Sequence, residues 1–126
     1  MTTALWCVFV AGMLPYVLAA VSKVGRPYDN AKPRAGGHTG WQQRADWAQA
    51  NAWEAFAPFA AAVLIAHWVH VQQSTIDMLA LAFIAFRVAH GAAYLGDRPT
   101  LRSAMWACGI ACVAGLYIAA AGAKPI

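Results

Sequence analysis

The chain has 126 residues, of which 61% are hydrophobic and only 11% charged, against roughly 45–50% and about 25% in soluble globular domains. This composition excludes a water-soluble core domain or a second globular unit, and the length of the apolar runs excludes a transmembrane barrel, whose alternating strands need only ~10 residues. The net charge of +4 comes from cations spread over loops and helix ends without an aromatic-interleaved basic face, so no nucleic-acid partner is expected.

Four apolar runs reach or approach the ~20 residues that cross a hydrocarbon core as a helix. They predict an all-α, integral membrane four-helix bundle filling residues 1–126 as a single domain, with helices at about 4–24, 46–71, 76–96 and 100–121. The first, Ala4 to Val21, has no ionisable group except the Tyr16 phenol and no basic residues ahead of it, so it does not read as a cleavable signal peptide. The connection after it, about 25–43, contains Gly25, Pro27, Pro33, Gly36, Gly37 and Gly40 and is expected to be irregular. This long basic connection either only marks topology and attracts anionic lipid head groups, or closes over a site.

Lys23, Arg26, Lys32, Arg34 and Arg44 around that loop, with Arg98 and Arg102 in the third connection, put seven of the nine Lys and Arg on one side. Lys124 lies opposite and Arg87 lies within the third helix. The positive-inside rule then predicts that the loop and the third connection face the cytoplasm and that both termini are non-cytoplasmic.

The second run carries Asn51, Glu54 and Pro58 at spacings of three and four, on one helix face. A carboxylate at mid-bilayer costs about 2.5–3.5 kcal/mol on the insertion scale, so Glu54 should face a bundle interior, a partner or a wet cavity. Pro58 has no amide hydrogen for the Glu54 carbonyl, which leaves an acceptor free beside the carboxylate. The third run repeats the pattern with Arg87, His90 and Tyr94, continued by Asp97 and Arg98. Pro99 then suits the first turn of the fourth helix, followed by Arg102 and Ser103. All of these converge on one end of the bundle. They form either a helix-linking ion pair of Glu54 with Arg87 or Arg102, completed by Asn51 and Tyr94, or a ligand site.

Other features are less specific. Cys7, Cys108 and Cys112 lack metal or redox spacing and read as packing residues. His67 and His70 are three apart but lack a third ligand, so interfacial anchoring beside Trp68 is expected and no metal. Ala107, Ala111, Gly115 and Ala119 form a small-residue ladder that admits a neighbouring helix, within the chain or from another subunit.

Three segments, DNAKPR at Asp29 to Arg34, NAWEAFAPF at Asn51 to Phe59 and RVAHGAAYLGDRPTLRS at Arg87 to Ser103, resemble the membrane-associated proteins in eicosanoid and glutathione metabolism, the MAPEG family, in its small bacterial branch. The resemblance implies a homotrimer in the bacterial inner membrane with glutathione as thiol substrate in sites between subunits. It also implies that Asn51 and Glu54 hold the γ-glutamyl end, that Arg87, His90, Tyr94 and Arg98 line the pocket, and that Arg102, with Ser103 beside it, stabilises the thiolate. The second substrate would be a lipophilic small molecule entering from the lipid bilayer. The sequence departs from the family's catalytic eukaryotic members at Trp47 and Ala50, where they carry arginines for the glutathione carboxylates, and at Trp106, where they carry an aromatic hydroxyl. Arg44, Lys23 and Arg26 are candidates to replace those cations.

Three functions follow as expectations. The first is a glutathione transferase or peroxidase-like enzyme. The second is a non-catalytic membrane subunit or lipid-binding module of a larger complex, motivated by the missing arginines. The third is a small proton-coupled exporter, against which stand the long basic loop and the position of Glu54 beside Asn51 and Arg87.

Overall fold

The computed structural model describes residues 1–124, and these form four helices without strands: α1 (Thr3–Lys23), α2 (Gly40–Trp68), α3 (Gln73–Leu95) and α4 (Pro99–Ala121). The all-helical bundle predicted from the apolar runs is therefore present. α1, α3 and α4 are each long and apolar enough to cross a membrane, and the chain is an integral membrane protein. α2, with 29 residues the longest helix, falls outside that set because Gln42, Gln43, Arg44, Asp46, Gln49, Asn51 and Glu54 dilute its first half. Its start at Gly40 lies earlier than the apolar run suggests, since hydropathy registers the lipid-level part of a helix and not the polar turns that continue beyond it.

Local chemistry sets the ends. The Thr2 hydroxyl accepts from the Leu5 amide as the N-cap of α1. Pro99 occupies the first turn of α4, where its missing N–H costs little. α3 stops in a Schellman-type turn: the Arg98 amide donates to the Ala93 carbonyl at 2.9 Å, with Asp97 in the left-handed region at φ 54°. His70 takes the same role after α2 at φ 58°. Pro15 and Pro58 lie inside α1 and α2, each freeing a carbonyl without ending the helix.

α2 and α3 each pack against all the other helices, whereas α1 and α4 make no mutual contact among the described residues. The two helices that carry the polar stripes are thus the central pair. Their common core is the stacked pair Phe59 and Phe83, with ring centroids 3.9 Å apart and an interplanar angle of 9°, surrounded by Val63, Ile76, Ala80, Val113 and Leu116. Small residues set the helix spacing: a Cβ at Gly12 would come within 3.3 Å of the Phe56 ring, so α1 lies close on α2. The α4 ladder divides. Gly115 faces Leu79 of α3, while Ala107 and Ala111 stay on the exposed surface.

The end of the bundle away from the long loop is tied by side chains. Asp77 on α3 accepts from the Ala4 amide at 2.8 Å, joining a carboxylate to the orphan donors and positive dipole end of α1. His67 contacts the Val63 carbonyl through Nδ1 at 2.8 Å and the Thr2 hydroxyl through Nε2 at 3.0 Å. The tautomer that suits both has the proton on Nδ1 and accepts from Thr2. His67 therefore anchors α2 to the start of α1. Cys7 and Cys112 are buried and Cys108 is half-buried, all as free thiols.

Phe59→Ala is expected to lower stability by ~3–4 kcal/mol through loss of the stacked ring and an unfilled cavity, read as an earlier midpoint in a detergent-to-SDS unfolding titration. Phe59→Leu is expected to lose less than half as much.

Candidate functional site

The loop end of the bundle, where α1 and α3 finish and α2 and α4 begin, collects most of the polar side chains that the sequence marks. Arg87 is buried, 3% exposed. Its Nη2 donates to the Asn51 side-chain oxygen at 2.7 Å, a charge-assisted hydrogen bond between the two central helices. Gly109 on α4 admits the arginine stem, since a Cβ there would lie 3.6 Å from the Arg87 Cδ. One helical turn further on, His90 is equally buried and meets the Tyr94 ring edge-on at 5.6 Å between centroids. The Arg102 guanidinium lies over that same ring, 4.6 Å from its centroid, a cation–π contact that holds the charge at the mouth of the stripe. The result is a continuous line running Asn51, Arg87, His90, Tyr94, Arg102 from α2 across α3 to α4.

The remaining marked residues lie outside that line. Glu54 forms no ion pair with Arg87 or Arg102 among the described residues and is exposed on α2. The hydrogen bond that the Arg87 guanidinium makes to a side chain of α2 goes to Asn51, one turn before Glu54, and is an arginine–amide bond rather than an ion pair. Ser103 and Arg98 are exposed, and Arg98 borders a shallow groove with Leu101 and Ala104. Arg44 donates from Nε and Nη2 to the Leu95 carbonyl at 3.3 and 3.1 Å. It satisfies an end carbonyl of α3 and joins α2 to α3, a structural task absent from the sequence reading.

A cavity of about 680 Å³ lies on the α1 flank of α2 and includes none of the stripe residues. Lys23, Arg26, Arg34, His38, Asp46, Trp47, Ala50 and Trp53 are among its walls. His38 and Asp46 were not singled out from the sequence. A histidine between Gly37 and Thr39 and an aspartate in a polar helical turn carry no periodic signal, and only the folding of the loop onto α2 brings them together. The positions Trp47 and Ala50 are both exposed on α2, and the Trp47 indole donates to the Gln43 amide at 3.0 Å when that amide is oriented to donate to the His38 carbonyl at 2.9 Å. Among the described residues there is no cluster of three His, Cys, Asp or Glu that could hold a metal.

The helices and this site define an integral membrane four-helix protein with a polar stripe at one end of an otherwise apolar bundle. The family model for the MAPEG family matches residues 3–122, and the chain belongs to that family. No curated protein and no solved structure matches it. Membership supports, in general terms, a glutathione-related membrane function, transferase or a related activity.

Asn51→Leu leaves the Arg87 guanidinium buried without its acceptor and is expected to cost ~2 kcal/mol, measured by the same SDS titration. Asn51→Gln, which keeps an amide, is expected to recover part of that loss.

Proposed function

We propose that the chain is a membrane-bound, glutathione-dependent transferase or peroxidase acting on lipophilic electrophiles, with the thiolate held by Arg102 at the boundary between subunits of a homotrimer. The observation that carries this reading is the Arg102 guanidinium stacked on Tyr94, half-buried, at the open end of a stripe whose other members are already bonded or packed. A thiol has a pKa of about 8.5, and a guanidinium that cannot give up its own proton favours its anion. The thiolate then attacks an electrophilic carbon, the S–C bond forms and the leaving group departs. With a hydroperoxide, two thiols supply the two electrons, giving an alcohol, water and a disulfide. Ser103, beside Arg102, supplies a hydroxyl donor at the same place. Asn51 and Glu54 hold the γ-glutamyl end, and Arg87, His90, Tyr94 and Arg98 shape the pocket.

The exposure of Glu54 supports a site between subunits. Its neighbours on that face, Ala50 and Ala57, are small and exposed, which lets another helix approach closely, and a carboxylate at lipid level is too costly to leave facing acyl chains. A second copy of the chain covering this face removes that cost and brings a further α-helix to the thiol. The charge distribution supports an inner-membrane orientation with both termini outside, and the whole chain acts as one domain.

A second reading is a non-catalytic membrane subunit that keeps the family scaffold. Trp47 and Ala50 favour it, because they present an indole and a methyl group on the α2 face where catalytic relatives carry cations. Arg44 is held instead at the end of α3, donating to the Leu95 carbonyl.

Calorimetry on detergent-purified protein is expected to give saturable glutathione binding that Glu54→Gln and Arg102→Ala both weaken. Arg102→Ala is also expected to lower thiol-dependent turnover about 10²-fold while leaving the oligomer intact by size-exclusion light scattering. Full turnover in Arg102→Ala would remove that residue from the mechanism. A well-folded oligomer without glutathione binding would favour the scaffold reading.

A further inference from the structure

The cavity on the α1 flank of α2 touches the glutathione reading at Lys23, Arg26, Trp47 and Ala50, yet three of its features go beyond that reading. First, its charge is one-sided: Lys23, Arg26 and Arg34 face a single carboxylate, Asp46. Arg26 is fastened through Nε to the Ser22 carbonyl at 2.6 Å, an arrangement that leaves its two terminal nitrogens without a protein acceptor among the described residues. Second, the His38 side chain is 8% exposed, yet neither ring nitrogen has a hydrogen-bond partner. The Asp46 carboxylate is 3.7 Å from Nε2, beyond hydrogen-bond range. A buried imidazole with both nitrogens idle is rare and costly unless a ligand uses it. Third, the cavity sits where α1, an apolar membrane-length helix, gives way to the basic loop, and two half-exposed indoles, Trp47 and Trp53, form its wall. Tryptophans with flanking cations mark the head-group level of a bilayer.

We propose that this cavity is a phosphate site for the head group of an anionic phospholipid. Arg26 and Arg34 donate to the phosphate oxygens, His38 donates through one ring nitrogen, and the acyl chains leave along the exposed face of α1 past Tyr16 and Val17, which are 59% and 57% exposed. The lipid source follows from position. A soluble phosphate has no use for an indole wall, whereas a lipid phosphate brings glycerol and ester carbons that pack on Trp47 and Trp53. Occupancy also pins the loop to α2, since His38 is already held there through Gln43.

The test is native mass spectrometry of the full-length protein equilibrated in mixed micelles with phosphatidylglycerol and phosphatidylcholine. Retention of phosphatidylglycerol is expected to exceed that of phosphatidylcholine about tenfold, as two cations near a phosphate allow. Arg34→Gln and His38→Ala are expected to abolish that preference, and Lys32→Gln, an equal charge loss in the same loop but outside the cavity, is expected to keep it. Helical content and oligomer size check that each variant folds. Equal retention of the two lipids, or the same loss in Lys32→Gln, overturns the proposal in favour of diffuse surface attraction. Displacement of the lipid by excess inorganic phosphate overturns the lipid source, and displacement by glutathione assigns the cavity to the thiol site instead.

Discussion

An ionised side chain at lipid depth has to be surrounded by protein, and the placement of Arg87 obeys this constraint most completely. Its guanidinium is bonded to Asn51 and its stem passes over Gly109, so three helices are committed to one residue. α2 provides the acceptor, α3 the arginine and α4 the gap. That commitment makes α2 and α3 the central pair and leaves α1 and α4 at opposite corners. It also fixes the rotation of α3, which in turn carries His90 and Tyr94 along the same interior line.

With Asn51 bonded to Arg87, other residues in the first half of α2 face outward. Glu54 does so, and earlier on the same face Trp47 and Ala50, together with Trp53, line a basic cavity toward α1. The helix thus separates two polar regions of different character. One is a narrow, internally bonded stripe that ends in a half-buried arginine. The other is an open, cationic space with an idle imidazole. Their separation follows from the neighbours that α2 meets: Asn51 reaches Arg87 of α3, whereas Ala50 and Trp53 border α1 and the loop.

Much of this was legible from the residues. Apolar runs of membrane length, the three- and four-residue spacing of Asn51 with Glu54 and of Arg87 with His90 and Tyr94, and Pro99 at a helix start are all local or periodic signals. What was not legible depends on which neighbour a side chain meets. Arg44 looked like a free cation near the site, yet it spans to an end carbonyl of α3. Glu54 shares a face with Asn51 and reads as a partner for Arg87 or Arg102, but the hydrogen bond from Arg87 goes to Asn51. His38 and Asp46 carried no pattern, because a loop residue is brought to a helix by chain reversal and not by spacing. Asp77 likewise carries no periodic signal, and only the tertiary structure seats the start of α1 on it.

Composition and periodicity by themselves determined that the chain is helical, that it belongs in a membrane and which residues share a helix face, because hydrophobic length and the 3.6-residue repeat are properties of each segment alone. Only the tertiary structure decided which of two polar residues on one face receives the buried arginine, which cation is consumed in holding helices together and where the loop settles. Those outcomes turn on distances of a few ångströms between segments far apart in the chain, and hydrogen bonds and cation–π contacts exist only at such distances.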